Sequence, residues 1–159
     1  MGPIRRRLDA RRGEPLPPPL QARLARYFPG LDFAAIRLHE GVPRYVQGRP
    51  RGYVNRHRIY LASGWQDDAD AELLALLAHE LVHVRQYRDV GAWRFRWAYL
   101  REYLAGRLRR LGHEAAYRNI SFERAAREVE ERVRRDHAFV IPDVARLPFT
   151  PEGKVFRVS

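Results

Sequence analysis

The most informative segment of this chain is LLALLAHELVHV, which occupies residues 73–84. Its apolar side chains cover almost every side of a helix, a pattern typical of a helix buried at the centre of a domain. We predict a helix over residues 69–87, because acidic side chains between positions 67 and 72 favour a helix N-terminus. Burying two histidines and a glutamate in this helix would be costly unless polar partners or a metal ion compensate them.

His79, Glu80 and His83 form a His-Glu-x-x-His pattern within this helix. Residues four apart share a helix face, so both imidazoles can hold one metal ion while Glu80 lies beside it. Two neutral imidazoles and a water are typical of catalytic zinc, and a nearby carboxylate can take a proton from that water. We therefore predict a Zn²⁺ site with Glu80 as general base. The alternative is a metal-free helix with hydrogen-bonded histidines and a salt-bridged Glu80.

A site of this kind needs a third protein ligand. Metzincins place glycine and then histidine three and six residues after the second histidine, where this chain has Gln86 and Asp89. That subclass is therefore excluded. The other common third ligand is a carboxylate from a later helix, as in gluzincin-like sites. On the final predicted helix, Glu123 and Glu130 flank the same edge of the apolar stripe, so they compete for this role.

We choose Glu123 as the third ligand because it lies in the first turn of that helix, next to an apolar side chain. Glu130 is then expected to accept a hydrogen bond from a ligand imidazole or to pair with Arg127. Glu123 as an ordinary helix N-terminal carboxylate remains the alternative. In that case His113 or His137 would be the substitute ligand.

Four segments, in this order, resemble a bacterial family of short zincin-like domains found in polymorphic toxins and contractile injection-system cargo. They are LPPPL (16–20), FAAIRLH (33–39), RIYL (58–61) and LLAHELVHVRQ (76–86). The resemblance covers residues 16–87, and HELVHVRQ is its most specific part. It implies a metallopeptidase fold. The segment SFERAA at 121–126 is similar to the later glutamate-containing helix of such domains, which favours Glu123 as a ligand.

We predict an α+β, zincin-like domain over residues 16–145. A small, mostly antiparallel sheet from residues 35–61 is expected to pack on a helical body with the motif helix buried at its centre. Residues 1–15 are predicted to be a flexible, basic, proline-rich tail, and residues 146–159 an irregular C-terminal tail. The prolines at 17–19 predict an extended polyproline conformation.

Composition excludes several other classes of protein. The chain has 159 residues and no cysteine, which excludes a disulfide scaffold, a thiolate zinc finger and an iron–sulfur centre. Its longest apolar run, residues 73–78, is far shorter than the roughly 20 residues of a transmembrane helix. No apolar segment follows the basic N-terminus, so we predict a cytoplasmic protein, although injected effectors also lack a secretory signal.

The predicted activity is hydrolysis of a peptide or protein substrate. Strand addition to an edge strand usually binds the substrate backbone in zincin-like folds, and Arg58–Leu61 is the candidate strand. Tyr117, His113 and Tyr60 are the candidate donors to the oxyanion, and we do not choose among them.

The net charge is +11, from 30 Lys and Arg against 19 Asp and Glu. This excess predicts an anionic partner, which is either a nucleic acid or an acidic protein. The alternative is that it reflects the codon bias of a GC-rich genome. Arginines are interleaved with two apolar stripes on a predicted helix over 92–111. That helix can be a single-stranded nucleic-acid platform, a membrane-surface helix or a core helix with a basic rim. A non-catalytic basic binding module, with a structural or vestigial zinc site or no metal, is thus the alternative function.

Overall fold

The structure is a computed structural model that describes residues 13–46, 48, 50–62 and 70–138. These residues form a small sheet and several helices, so the predicted α+β class is confirmed. The strands are β1 (Glu14–Pro15), β2 (Arg37–Glu40), β3 (Gly52–Asn55) and β4 (Arg58–Leu61). The α-helices are α1 (Pro18–Leu24), α2 (Asp70–Val90), α3 (Ala92–Leu108), α4 (His113–Arg118) and α5 (Ser121–Ala138). Short 3₁₀ turns cover Ala25–Tyr27 and Phe33–Ala35.

The four strands lie in the order β1-β2-β4-β3. Two of the three pairings, β1 with β2 and β3 with β4, are antiparallel, and β2 runs parallel to β4 with Arg37 beside Arg58. The sheet is therefore mixed but mostly antiparallel, as predicted. The expectation that Arg58–Leu61 is an edge strand is wrong, because β2 pairs with one side of β4 and β3 with the other. Of the described strands, β3 is the edge next to α2.

The N-terminal part of the domain differs from the expectation of an extended, proline-rich arm. Glu14–Pro15 pairs with β2, and Leu16 is fully buried. Pro18 and Pro19 begin α1 instead of continuing a polyproline segment. Proline is tolerated in the first helical turn, where its missing N–H has no intrahelical acceptor in any case. Of the predicted tails, residues 1–12 and 146–159 lie outside the described residues.

The core lies between the sheet, α2 and α5. The sheet contributes Ile59 and Leu61, and α2 contributes Leu77 and Leu81, all with no exposed surface. α5 adds side chains such as Val133, which is also fully buried. α2 is therefore the central helix, as its continuous apolar sequence predicts. Packing on both sides holds its two histidines in fixed positions relative to α5.

α3 packs on one side of α2, and α4 packs on α3. Gly91 separates α2 from α3, and its φ of 85° is a conformation that other residues rarely adopt. α3 and α4 approach closely where Gly106 faces Ala116, since a Cβ at position 106 would lie 3.0 Å from the Ala116 Cβ. Phe95 on the inner face of α3 is buried. None of the helices in the described part of the chain is long and apolar enough to cross a membrane.

Candidate metal centre

Three side chains from α2 and α5 converge on one point. The Nε2 atoms of His79 and His83 are 3.2 Å apart. The carboxylate of Glu123 lies against both rings, with Oε2 3.5 Å from the Nε2 of His79 and Oε1 3.4 Å from the Nε2 of His83. One ligand atom from each residue lies within 4.8 Å of the other two, so the three residues could hold a metal ion.

The donor atoms of this cluster suit a cation at its centre. Glu123 is 2% exposed and His83 is 7% exposed. Within the described residues the Glu123 Oε2 accepts no hydrogen bond, although it is buried. Leaving a buried carboxylate oxygen without a hydrogen bond is costly. A metal ion between this oxygen and the two Nε2 atoms would compensate that cost.

The electrostatics of the cluster also favour positive charge. Burial lowers the pKa of His79, but its close contacts with the carboxylates of Glu123 and Glu130 outweigh burial and raise that pKa to about 10. Burial raises the pKa of Glu123, but its close contacts with the rings of His79 and His83 hold that pKa well below its usual range. Without a metal ion, a proton on His79 therefore balances the negative charge of Glu123.

A hydrogen-bonded chain on α5 orients the ring of His79. Its Nδ1 lies 2.9 Å from the Oε2 of Glu130, which leaves Nε2 directed at the centre. The Arg134 guanidinium donates to Glu130 at 2.7 Å and to Glu72 on α2 at 2.8 Å. Glu130 is thus paired with Arg134, whereas Arg127 donates to a backbone carbonyl of α4. Burial raises the pKa of Glu130, but its contacts with His79 and Arg134 lower it overall.

Two residues that we did not predict contact the other two candidate ligands, His83 and Glu123. Gln86 lies one turn after His83, and its Oε1 is 2.8 Å from the Nδ1 of that ring. The amide of Gln86 also donates to the backbone carbonyl of Phe122 at 3.1 Å, which ties α2 to the start of α5. The Tyr99 hydroxyl donates to the Oε1 of Glu123 at 3.1 Å. Helical i, i+3 spacing could have indicated Gln86. The only sequence signal for Tyr99 is its helical spacing with Phe95 and Tyr103 on the predicted helix over 92–111.

Glu80 lies beside the cluster and against the edge strand. It is 4% exposed, and burial raises the pKa of its carboxyl group. A Cβ on Gly52 would overlap its Oε1, so the backbone of β3 approaches this carboxylate as only a glycine permits. No local pattern around Gly52 indicates this contact in the sequence.

The cluster opens into a cavity of about 600 Å³. β3, α3 and α4 form its walls, and His79, Glu80, His83 and Glu123 all line it.

Of the other candidate side chains, two line the cavity and two lie elsewhere. Tyr117 and His113 line it, and the His113 ring is hydrogen-bonded to Tyr103 at 2.8 Å. Tyr60 does not line the cavity; its ring stacks on His39 with centroids 4.6 Å apart. His137 lies near the C-terminus of α5 against the Arg23 guanidinium, at 3.2 Å, so neither substitute histidine belongs to the cluster.

Comparison with known proteins links part of the chain to injection systems. Residues 15–91 match the family model of the eCIS core domain, which connects them with extracellular contractile injection systems. The match covers just under half of the chain and includes His79, Glu80 and His83 but not Glu123. It agrees with the injection-system part of the resemblance given above. No curated protein and no solved structure matches the chain.

Proposed function

We propose that this protein is a zinc-dependent peptidase in which His79, His83 and Glu123 hold the metal. The observation that carries the proposal is the convergence of two imidazole nitrogens and one carboxylate oxygen within 4.8 Å, at the wall of a cavity of about 600 Å³. Nitrogen and oxygen ligands of this kind are typical of catalytic zinc. A structural zinc site is closed by four protein ligands, whereas the described residues supply three to this cluster.

In this proposal each residue of the site has one task. A zinc ion held by His79, His83 and Glu123 would supply Lewis acidity for the reaction. Glu80 takes a proton from the attacking water and later donates it to the leaving amine. Glu130 and Gln86 hold the two rings so that their Nε2 atoms stay directed at the centre.

The substrate is proposed to bind between β3 and α4. β3 is the edge strand of the described sheet that lies next to α2, and a peptide can add to such an edge through backbone hydrogen bonds. Gly52, at the start of β3, brings that edge next to Glu80. Across the cavity, Tyr117 and His113 on α4 can donate a hydrogen bond to the oxyanion. The link to extracellular contractile injection systems supports a peptidase delivered as an effector by such a system.

The test replaces the base without touching the ligands. In Glu80→Gln we expect unchanged zinc content by elemental analysis and a loss of casein cleavage of roughly 10²–10⁴-fold. Glu128→Gln on the exposed face of α5 makes the same chemical change away from the site and should retain both properties. His83→Ala should lose the zinc.

Cleavage of casein by Glu80→Gln at the parent rate would refute the mechanism. Equal zinc content in the parent and in His83→Ala would refute the site. One equivalent of zinc in a parent protein that cleaves neither casein nor a peptide library would instead support the non-catalytic binding module.

A further inference from the structure

The outer face of α3 exposes a row of large apolar side chains, which we call the α3 stripe. Its members and their exposed fractions are Trp93 (78%), Trp97 (58%), Leu100 (46%), Leu104 (49%) and Leu108 (85%). They recur every three or four residues and therefore share one side of the helix along its whole length. Within the described residues these side chains stay 46–85% exposed, although Leu100 also lines the cavity. Such a contiguous apolar patch marks an interaction surface.

Arginines border the α3 stripe on both sides. At about 100° per residue, Arg94 and Arg101 lie along one edge and Arg96 and Arg107 along the other. All four are exposed. The only acidic residue of α3, Glu102, lies on the opposite side, where it accepts hydrogen bonds from Ser121. The exposed side of α3 is thus apolar with cationic margins and carries no negative charge.

We propose that the α3 stripe docks on an anionic lipid surface. Tryptophan and leucine side chains on one helix face enter the boundary between headgroups and acyl chains, and arginines at the margins pair with lipid phosphates. The stripe lies on the exposed outer side of α3, where a flat, deformable surface can reach all five of its side chains. Docking of this kind needs no membrane-spanning segment and does not depend on the proposed peptidase activity.

Other occupants fit this surface less well. In a pair of copies related by a two-fold axis, the arginine margins would meet arginine margins and repel each other. A single-stranded nucleic acid stacks its bases on aromatic rings, but three of the five residues in the stripe are leucines. The remaining rings of α3, Phe95, Tyr99 and Tyr103, face the cavity.

The test is flotation of the full chain with lipid vesicles. Binding should be strong to phosphatidylcholine vesicles that contain about one-third phosphatidylglycerol, weak to phosphatidylcholine alone, and reduced by salt. The double variant Trp97→Gln/Leu104→Gln should bind at least roughly tenfold more weakly, because it lacks two apolar side chains that contact the lipid. Arg94→Gln/Arg101→Gln should weaken it by roughly thirtyfold at low salt, about fivefold per arginine.

The matched control removes two exposed arginines elsewhere. Arg124→Gln/Arg135→Gln on α5 lowers the net charge equally and should change binding by less than about threefold. All replaced residues are exposed, and unchanged circular dichroism and thermal unfolding verify the fold.

Three results would overturn the proposal. The first is no binding to the anionic vesicles, or equal binding by every variant. The second is a parent protein that does not bind vesicles but binds polyglutamate or single-stranded DNA, with that binding lost in the α3 variants. This result would assign the surface to an acidic protein or a nucleic acid. The third is a parent protein that does not bind vesicles and sediments as a dimer in analytical ultracentrifugation, while Leu104→Gln sediments as a monomer. This result would assign the α3 stripe to a second copy of the chain.

Discussion

The position of the Glu80 carboxylate depends on Gly52, a residue that carries no reactive group. Glu80 is nearly buried, and its carboxylate occupies the space beside the backbone of Gly52 where any other residue would place a Cβ. The carboxylate is thereby confined between α2 and β3. A shift of about 1 Å in a catalytic group can cost roughly 10² in rate, so this contact matters for the proposed chemistry.

Gly52→Ala tests this confinement. The added methyl group should displace the Glu80 carboxylate, lower peptide cleavage at least roughly tenfold and lower the free energy of unfolding by about 1–3 kcal/mol. Zinc content should stay unchanged, because no ligand moves. The control is Gly112→Ala, where a Cβ meets nothing within 4 Å and φ is −59°. Cleavage by Gly52→Ala at the rate of the control would contradict the positioning role of this glycine.

At the scale of elements, the site is a contact between two helices. α5 presents Glu123 and Glu130, seven residues apart and therefore on the same face two turns along the helix. Glu123 contacts both Nε2 atoms, and Glu130 holds the Nδ1 of His79. The same face carries the apolar residues Ala126 and Val133, which are fully buried. Packing of α5 against α2 thus sets the distance from the carboxylates to the rings.

Glu130→Gln tests the link between these helices. An amide oxygen is a weaker acceptor than a carboxylate, and the charge that supports His79 is lost, so zinc affinity should fall roughly 10- to 100-fold. Competition with a chelating dye measures this change. Glu131→Gln, on the adjacent exposed position, should bind zinc like the parent. Equal affinities in both variants would show that Glu130 does not support the ligand ring.

Across the whole molecule, a metal ion would join the central helix to the last described helix. A ligand that binds only the folded state stabilises it by about 2.7 kcal/mol when its free concentration is about 100 times its Kd. For a chain of this size, that free energy corresponds to a change in Tm of roughly 5–10 °C.

Chelation should therefore lower the Tm of the parent protein by that amount, and added zinc should restore it. Differential scanning calorimetry measures both changes. His83→Ala should show no response to chelator or to zinc, since it lacks one of the ligands. An equal response in the parent and in His83→Ala would place the stabilising metal elsewhere.

Local patterns in the sequence determined the central helix and the set of candidate ligands. His79 and His83 share a face because α-helical geometry alone places residues four apart side by side. Glu123 and Glu130 followed from their place at the edge of an apolar stripe. The α+β class likewise came from periodicities that extend over a few residues.

Contacts between distant segments were decided only by the tertiary structure. The parallel pairing of β2 with β4 made β3 the edge strand, and no local pattern specifies such a pairing. The packing of α3 on α4 and α5 determined that Phe95, Tyr99 and Tyr103 line the cavity and that the α3 stripe is largely exposed. The approach of Gly52 to Glu80 also depends on how the sheet packs on α2. Helix periodicity arises within a few residues, whereas these contacts join segments that meet only when the chain folds.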